Sequence, residues 1–358
     1  MRELRKLFKN KKIIITGHTG FKGSWLSLWL LKLGAKVIGI SNGYTSTPSH
    51  FKKLYLKKNI KNYNLDIREF KKLKKIFLSH NPDYIFHLAA QAIVKKSYKN
   101  PLYNWETNTL GTINILESLR HLKKKCVAVL ITSDKSYKNL EINRGYKEDD
   151  LLGGFDPYSA SKGSAEFAIQ SYVKSFFSKN DRIRIGVGRA GNVVGGGDWS
   201  EDRLIPDCVK SWSKGKRVVL RNPNATRPWQ HVLEAVYGYL TLAQSLSNSN
   251  KNHGEVFNFG PSQSNNFKVI NVVYFMKKNW QRINWTIKKS KNFKESKLLK
   301  LNSNKAKKIL KWKNHLTFKN TIKLVAEWYK DYYDNKKSTY KISCSQIDMY
   351  QKILNKNF

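Results

Sequence analysis

The sequence predicts an α/β fold: a doubly wound parallel sheet of the Rossmann kind with a smaller, discontinuous C-terminal lobe. Three observations carry that expectation. Short apolar runs alternate with helical segments through the first 190 residues, the rhythm of a parallel sheet covered by helices on both faces. The first apolar run, Ile13-Ile14-Ile15, opens onto a turn spaced Gly17-x-x-Gly20-x-x-Gly23 and then a helix. After Arg189 the alternation breaks into a loop-rich stretch containing Gly191, Gly195-Gly196-Gly197, Pro206, Pro223 and Pro228.

Taken in order, residues 12–16 read as a strand and 21–34 as a helix ending at Gly34. Residues 36–40 form a second strand and 62–65 a short third one ending at Asp66. An amphipathic helix follows over 68–79, and a fourth strand over 83–87 after Pro82. A long helix spans 103–121, a buried strand 126–132, another helix 157–178 and a strand 183–189. Beyond 190, helices are expected over 231–246, 267–281, 303–311 and 318–334, with one more sheet strand over 255–259. Residues 1–190 therefore form a dinucleotide-binding domain with return elements near 231–260, and 191–358 mainly a second, substrate-binding lobe. The last stretch of roughly 25 residues is rich in Lys, Tyr and Asn and shows no clear pattern.

Composition excludes several classes. The chain has 358 residues, of which 40% are apolar, enough for a full core. The longest apolar stretch, Trp25 to Leu31, is too short to cross a bilayer, and the first residues carry no apolar secretory core. Cys126, Cys208 and Cys344 lie far apart, with neither a CxxC pair nor a metal-like grouping with His, so a reducing cytoplasm is expected and no metal. The formal charge of +42 raises a nucleic-acid reading. However, 54 of the 67 basic residues are lysines scattered along helices, and only 13 are arginines, the residue that reads bases in pairs of bonds. A solvated, compositionally biased surface is expected, with no specific nucleic-acid partner; its field still attracts anionic substrates.

Three fragments carry chemistry. In the glycine turn, Gly17 permits a tight bend, Gly20 a close approach to a pyrophosphate and Gly23 close helix packing, while the helix N-terminus offers unpaired N–H groups to phosphates. The second strand ends Ile40-Ser41-Asn42, without the acid that usually holds an adenosine ribose. Ser41 or Asn42 can bond a ribose hydroxyl or tolerate a phosphate, which leaves NAD and NADP both open. Asp66 and Ile67 are placed to meet an adenine. Tyr158 and Lys162 lie four apart, on one helix face; a nearby ammonium lowers a phenol pKa, and the phenolate takes a proton from a sugar hydroxyl as hydride leaves the carbon. Ser133, just past an apolar strand, supplies a third hydrogen-bonding group, and Asp134-Lys135 adds acid–base groups that a simple dehydrogenase does not need. His87 and His231 read as packed rather than catalytic.

These fragments resemble the extended short-chain dehydrogenase/reductase family of nucleotide-sugar enzymes. Within it, Thr16 to Trp25, Ile131 to Lys135, Arg189 to Trp199 and Arg227 to Val232 resemble the CDP-glucose 4,6-dehydratases. The resemblance implies NAD as cofactor, held by Gly17, Thr19, Gly20, Phe21, Lys22, Gly23, Asp66, Ile67, Leu88, Ala89 and Ala90 with Tyr158 and Lys162. It implies Ser133, Asp134, Lys135, Tyr158 and Lys162 as catalytic residues, with Asp134 the general acid and Lys135 the base. Asn192, Arg203 and Arg227 then hold the diphosphate and sugar of CDP-glucose, with Val219, Leu220 and Arg221 along the base and Leu204 as a further substrate-binding residue, and Glu295 stands where the family has an acid. A cytoplasmic homo-oligomer is the expected assembly. The alternatives are an epimerase or a dehydratase of another nucleotide sugar, and a regulator or basic nucleic-acid binder that keeps the fold without turnover.

Overall fold

Seven parallel strands build the central sheet: β1 (Lys12–Thr16), β2 (Lys36–Ser41), β3 (Lys61–Asn64), β4 (Tyr84–His87), β5 (Cys126–Ile131), β6 (Ile183–Ala190) and β7 (Val256–Phe259). Their order is β7-β6-β5-β4-β1-β2-β3. The computed structural model describes residues 1–178, 182–220, 222–261, 266–288 and 299–356. Between β1 and β4 the order reverses direction, which opens a crevice at the carboxyl edge, where ligands of such sheets bind. Successive side chains of β1 serve opposite faces. Ile13 and Ile15 enter the larger apolar cluster and Ile14 the other, all three fully buried. Both faces are covered, which is why these strands read as unbroken apolar runs.

The second half returns to this sheet. Helix Val232–Asn248 is buried along most of its length, and β7 pairs in parallel with β6 (Phe257 with Gly188, Phe259 with Ala190). Outside the main sheet, Val193–Val194 pairs with Gln230–His231, and Val218–Leu220 with Trp285–Ile287.

Some expected elements differ. The helix expected over 103–121 starts earlier, at Pro101, and carries a π turn over Glu106–Leu110 between Pro101–Trp105 and Gly111–Arg120; a separate short helix, Val94–Lys99, precedes it. Asn100 caps Pro101–Trp105 through Tyr103 N (3.1 Å), and Pro101 cannot continue the preceding short helix. At Gly111 any side chain would collide with Ile67 Cδ1, 2.5 Å from the position of a Cβ. Helix Leu204–Trp212 lies inside the stretch read as loops. Two terminal helices, Arg2–Phe8 and Thr339–Lys356, were not anticipated. The buried positions of the last helix follow helical spacing but include Thr339, Ser343 and Gln346, and these polar residues blur the apolar stripe.

That last helix covers helix Phe21–Lys32. Trp29 meets Tyr350 edge-on at 5.8 Å, and Lys32 pairs with Asp348 at 3.0 Å. Its deepest anchor is Glu234, whose carboxylate accepts from Tyr350 Oη (2.7 Å) and from the backbone N–H groups of His315 (2.7 Å) and Leu316 (2.6 Å). Burial raises the Glu234 pKa from 4.5 to about 7 against these donors. The folded chain therefore holds the extra proton. The stabilisation is complete below the unfolded value and is lost as pH rises through about 7. Glu234→Gln should flatten this dependence: denaturant midpoints at pH 5 and 8 should differ less in the variant, by up to roughly 3 kcal/mol. Equal pH dependence in the two proteins would contradict it.

Candidate active site

The glycine turn is shaped by close backbone approach. Gly17 has φ +75°, and a Cβ there would lie 2.6 Å from Ala89 N. A Cβ on Gly23 would lie 2.1 Å from Gly17 O. The turn and the Leu88-Ala89 segment thus run against each other across the β1–β4 crevice, and His87 fixes it beneath: its ring bonds Thr16 Oγ1 (2.7 Å) and Thr112 Oγ1 (3.1 Å). Gly20 begins helix Phe21–Lys32, whose first turn has neither a side-chain cap nor an acidic residue. An N-terminus built this way accepts a phosphate group. Thr19 is tied down through Oγ1 to Gly43 O (2.6 Å). Ser41 is engaged with His18 Nδ1 (3.0 Å) and Thr19 N (3.4 Å). Asp66 faces Asn42 and Arg68 at the end of β3, and Ile67 is buried.

At the end of β5 the chain turns into a single 3₁₀ turn, Asp134–Ser136, capped by Ser133, whose Oγ accepts from Lys135 N (3.2 Å) and donates to Asp134 Oδ1 (2.9 Å). Tyr158 and Lys162 arrive from helix Pro157–Tyr172, which Asp156 caps through Ser159 N (3.0 Å). Ser133 also lies close enough to the Tyr158 phenol to pull its pKa down. Ser133, Asp134, Tyr158 and Lys162 are between 5% and 8% exposed, so this is a nearly dry cluster; Lys135 is half-buried. Gly191 closes it from the far side, since a Cβ there would lie 3.1 Å from Asp134 Oδ2.

Burial sets the protonation of this cluster. It raises the Asp134 pKa above its ordinary value, although Lys135, Ser133 and Lys22 pull the other way. It lowers Lys162 to about 8, opposed by Glu166. It also lowers Lys22 to about 8, with Arg203 and Lys162 adding to the shift. For the Tyr158 phenol burial is the largest influence and raises the pKa; Ser133 and Arg203 pull the other way. Lys162 sits a turn further along and acts on His87 and Lys22.

The structure thus brings Lys22, Arg203, Asp134, Tyr158 and Lys162 into one electrostatic neighbourhood. Arg203 starts helix Leu204–Trp212 and pairs with Asp198 at 3.3 Å. Asn192 accepts from Gln230 N (3.2 Å), and Leu204 is half-buried. Arg227 lies in strand Thr226–Pro228, and Val219 is half exposed in Val218–Leu220. Ala90 is half-buried beyond β4. Arg221 and Glu295 lie outside the described residues.

Sequence reasoning missed the support behind the cluster. Arg189 and Glu166 form an ion pair with both side chains 1% exposed. Arg189 Nε lies 2.8 and 2.9 Å from the two Glu166 oxygens, Thr132 Oγ1 donates to Glu166 Oε1 (2.6 Å), and the guanidinium lies 4.4 Å over the Tyr137 ring. The Tyr137 hydroxyl continues to Asn258 Oδ1 (2.8 Å) in β7. One signal was available: Glu166 is four residues past Lys162, on the catalytic face of the same helix.

A family model described as GDP-mannose 4,6 dehydratase matches residues 14–325, most of the chain. The chain belongs to this family. Among family relatives, CDP-glucose 4,6-dehydratase of Salmonella typhimurium (strain LT2) is 39% identical over 331 residues, covering 91% of this chain and 92% of that protein. The dTDP-D-glucose 4,6-dehydratase of Dictyostelium discoideum is 28% identical, over 73% of this chain and 60% of its own length. In fold, the chain is similar to UDP-glucose 4-epimerase of Thermotoga maritima (TM-score 0.77, 23% identity, 90% of this chain and 99% of that one). It is also similar to dTDP-glucose 4,6-dehydratase of Bacillus anthracis in complex with NAD (TM-score 0.72, 21% identity, 93% and 99%).

The buried ion pair generates a direct test. Arg189→Met strands the Glu166 carboxylate and should destabilise the protein by about 3 kcal/mol or more. The double variant Arg189→Met/Glu166→Leu, which leaves no stranded charge, should recover a substantial part of that loss. Denaturant unfolding of both proteins checks it; equal stability of single and double variants would refute the coupling.

Proposed function

We propose that the protein is an NAD-dependent CDP-glucose 4,6-dehydratase, converting CDP-glucose to CDP-4-keto-6-deoxyglucose and water in a reducing cytoplasm. The observation that carries this reading is the buried Asp134, hydrogen-bonded to Ser133 beside Tyr158 and held toward its protonated form by burial. A 4-epimerase works with the hydroxyl, phenol and ammonium alone. Water loss needs a further acid, and Asp134 is one. The residues present also fit the dinucleotide: the uncapped helix N-terminus at Gly20, the close-packed Gly17 turn and the buried ammonium of Lys162.

When bound, the nicotinamide supplies a hydride acceptor for C4 of the hexose and a donor for C6. Tyr158, as phenolate, takes the C4 hydroxyl proton, while Ser133 holds that oxygen by a hydrogen bond. Lys162 balances the phenolate charge and bonds the nicotinamide ribose. The new C4 ketone acidifies the C5 proton, which Lys135 takes. Asp134 gives its proton to the C6 hydroxyl, which leaves as water. Arg203, Arg227 and Asn192 hold the diphosphate and sugar, with Val219, Leu220 and Arg221 along the base and Leu204 as a further substrate-binding residue. A guanidinium meets phosphate oxygens two at a time.

Of the homo-oligomers the sequence allows, we propose a dimer. Tyr98 (66% exposed), Leu102 (68%), Leu110 (52%) and Phe167 (56%) present large apolar side chains to solvent on the 94–110 helical segments and helix Pro157–Tyr172. Two-fold pairing of this surface would bury them. In sedimentation analysis the protein should run as a dimer, and Leu102→Glu/Phe167→Glu should shift it to monomer without loss of helix content. A monomeric parent protein would refute this arrangement.

For the chemistry, CDP-glucose deuterated at C4 should give product deuterated at C6, with solvent deuterium entering C5 in heavy water. Tyr158→Phe and Asp134→Asn should each lose roughly 10²-fold or more in turnover while substrate affinity changes only a few fold. Label that stays at C4 would indicate an epimerase. Turnover near the parent level in Asp134→Asn would remove Asp134 as the acid.

A further inference from the structure

Behind the cofactor turn one imidazole joins three distant pieces of chain. His50 begins a short helix, His50–Lys53, and is 2% exposed. Its Nδ1 lies 2.8 Å from Ser24 Oγ, near the start of helix Phe21–Lys32. Its Nε2 lies 3.1 Å from Ser343 Oγ in the last helix, 293 residues away in sequence. The ring stacks on Trp25 with centroids 5.0 Å apart, and a Cβ on Gly197 would lie 2.3 Å from His50 Cδ2. Trp25 Nε1 donates to Gly196 O (3.0 Å). The glycine loop that leads on to Asp198 and Arg203 therefore rests on the same spot.

The partners at the two ends fix which way each proton points. An indole N–H only donates, so Ser343 Oγ accepts from Trp328 Nε1 (3.1 Å) and keeps its own proton for His50 Nε2. A carbonyl only accepts, so Ser24 Oγ donates to Phe21 O (2.8 Å) and takes the proton of His50 Nδ1. One arrangement satisfies every group: Trp328 to Ser343 to His50 to Ser24 to Phe21 O, with a neutral ring protonated on Nδ1. Burial keeps the ring neutral, lowering the His50 pKa to about 3. Ser24, Ser343 and Trp328 are fully buried, so water does not compete for these bonds, and bonds in such a chain strengthen one another. The chain ends on the first residue of the helix whose uncapped N–H groups suit a phosphate.

We propose that His50 is a positioning residue for the dinucleotide: through it the last helix holds the first turn of helix Phe21–Lys32, and Ser343 thereby sets cofactor affinity. The relay acts on geometry rather than on charge. Phosphate capture at a helix start depends on N–H groups that converge, and a turn that is free to shift loses part of those bonds. None of the four relay side chains carries the acid–base chemistry, so cofactor affinity should change separately from the reaction. This inference rests on the reading that the Gly17–Gly23 turn holds a dinucleotide.

Calorimetric titration of the full-length protein with NAD tests it, at a temperature where the unfolding curve of each variant shows it folded. Ser343→Ala and Ser24→Ala should each weaken NAD roughly 3- to 10-fold, the effect of one lost hydrogen bond. The double variant should lose little more than the weaker-binding single variant, because both changes cut the same chain. Losses that multiply would mark two separate packing defects and overturn the proposal, as would parent-like affinity in Ser343→Ala. Nitrogen NMR of labelled histidines gives a second readout that needs no cofactor. In the parent protein His50 should carry its proton on Nδ1 and leave Nε2 bare. In Ser24→Ala the proton should move to Nε2, where Ser343 Oγ becomes its acceptor. A proton on Nε2 in the parent protein overturns the relay while leaving the dinucleotide reading intact. A parent protein that binds no NAD overturns both.

Discussion

Behind the reacting groups, the Arg189 guanidinium and the Glu166 carboxylate lie against each other with almost no access to water. Two charges placed there are tolerated only because their remaining hydrogen-bonding positions are filled. Thr132 donates to Glu166, Arg189 Nη1 donates to Glu148 O (3.1 Å), and Tyr137 stacks under the guanidinium. Each partner comes from a different piece of chain: the end of β5, the end of β6, the catalytic helix, and the loop that returns over the site. The pair therefore fixes where Ser133 and Asp134 leave β5 relative to Tyr158 and Lys162. The same loop is sealed from the other side: Asn258 Nδ2 donates to Tyr146 O (2.9 Å) and Asn302 O (3.2 Å).

Dryness in turn sets the chemistry. Four titratable groups sit together at the end of β5, and burial moves each toward its neutral form: Asp134 and Tyr158 upward, Lys162 and Lys22 downward. A carboxyl that keeps its proton is an acid, which is the role water loss requires. The cations around it limit that shift. Lys135 and Lys22 both pull Asp134 back toward ionisation, so the site is a balance between desolvation and a positive field rather than a simple apolar pocket.

The surface follows different rules. Most of the described lysines are exposed, where a single charge is worth little to stability, and their sum gives a long-range field favourable to anions. At the end of β3 the sign is locally reversed: Asp66 and Glu106 share the single guanidinium of Arg68.

Much of this was legible in the residues. The alternation of apolar runs and helices determined the parallel sheet, because a strand buried on both faces has no room for polar residues. The glycine spacing determined the turn at Gly17, where backbone approaches backbone too closely for a Cβ. The four-residue interval placed Tyr158 and Lys162 on one face, since a helix repeats at that interval. Tertiary structure alone decided the rest. It made burial, rather than the Lys162 ammonium, the main influence on Tyr158, because desolvation depends on what covers a group and not on its neighbours in sequence. It joined Arg189 to Glu166 and Asn42 to Asp66, pairs separated by 23 and 24 residues, and it found a helix in the polar C-terminal segment. Pairings across the fold leave no period in the chain: each partner, read alone, looks like one more charged or amide residue.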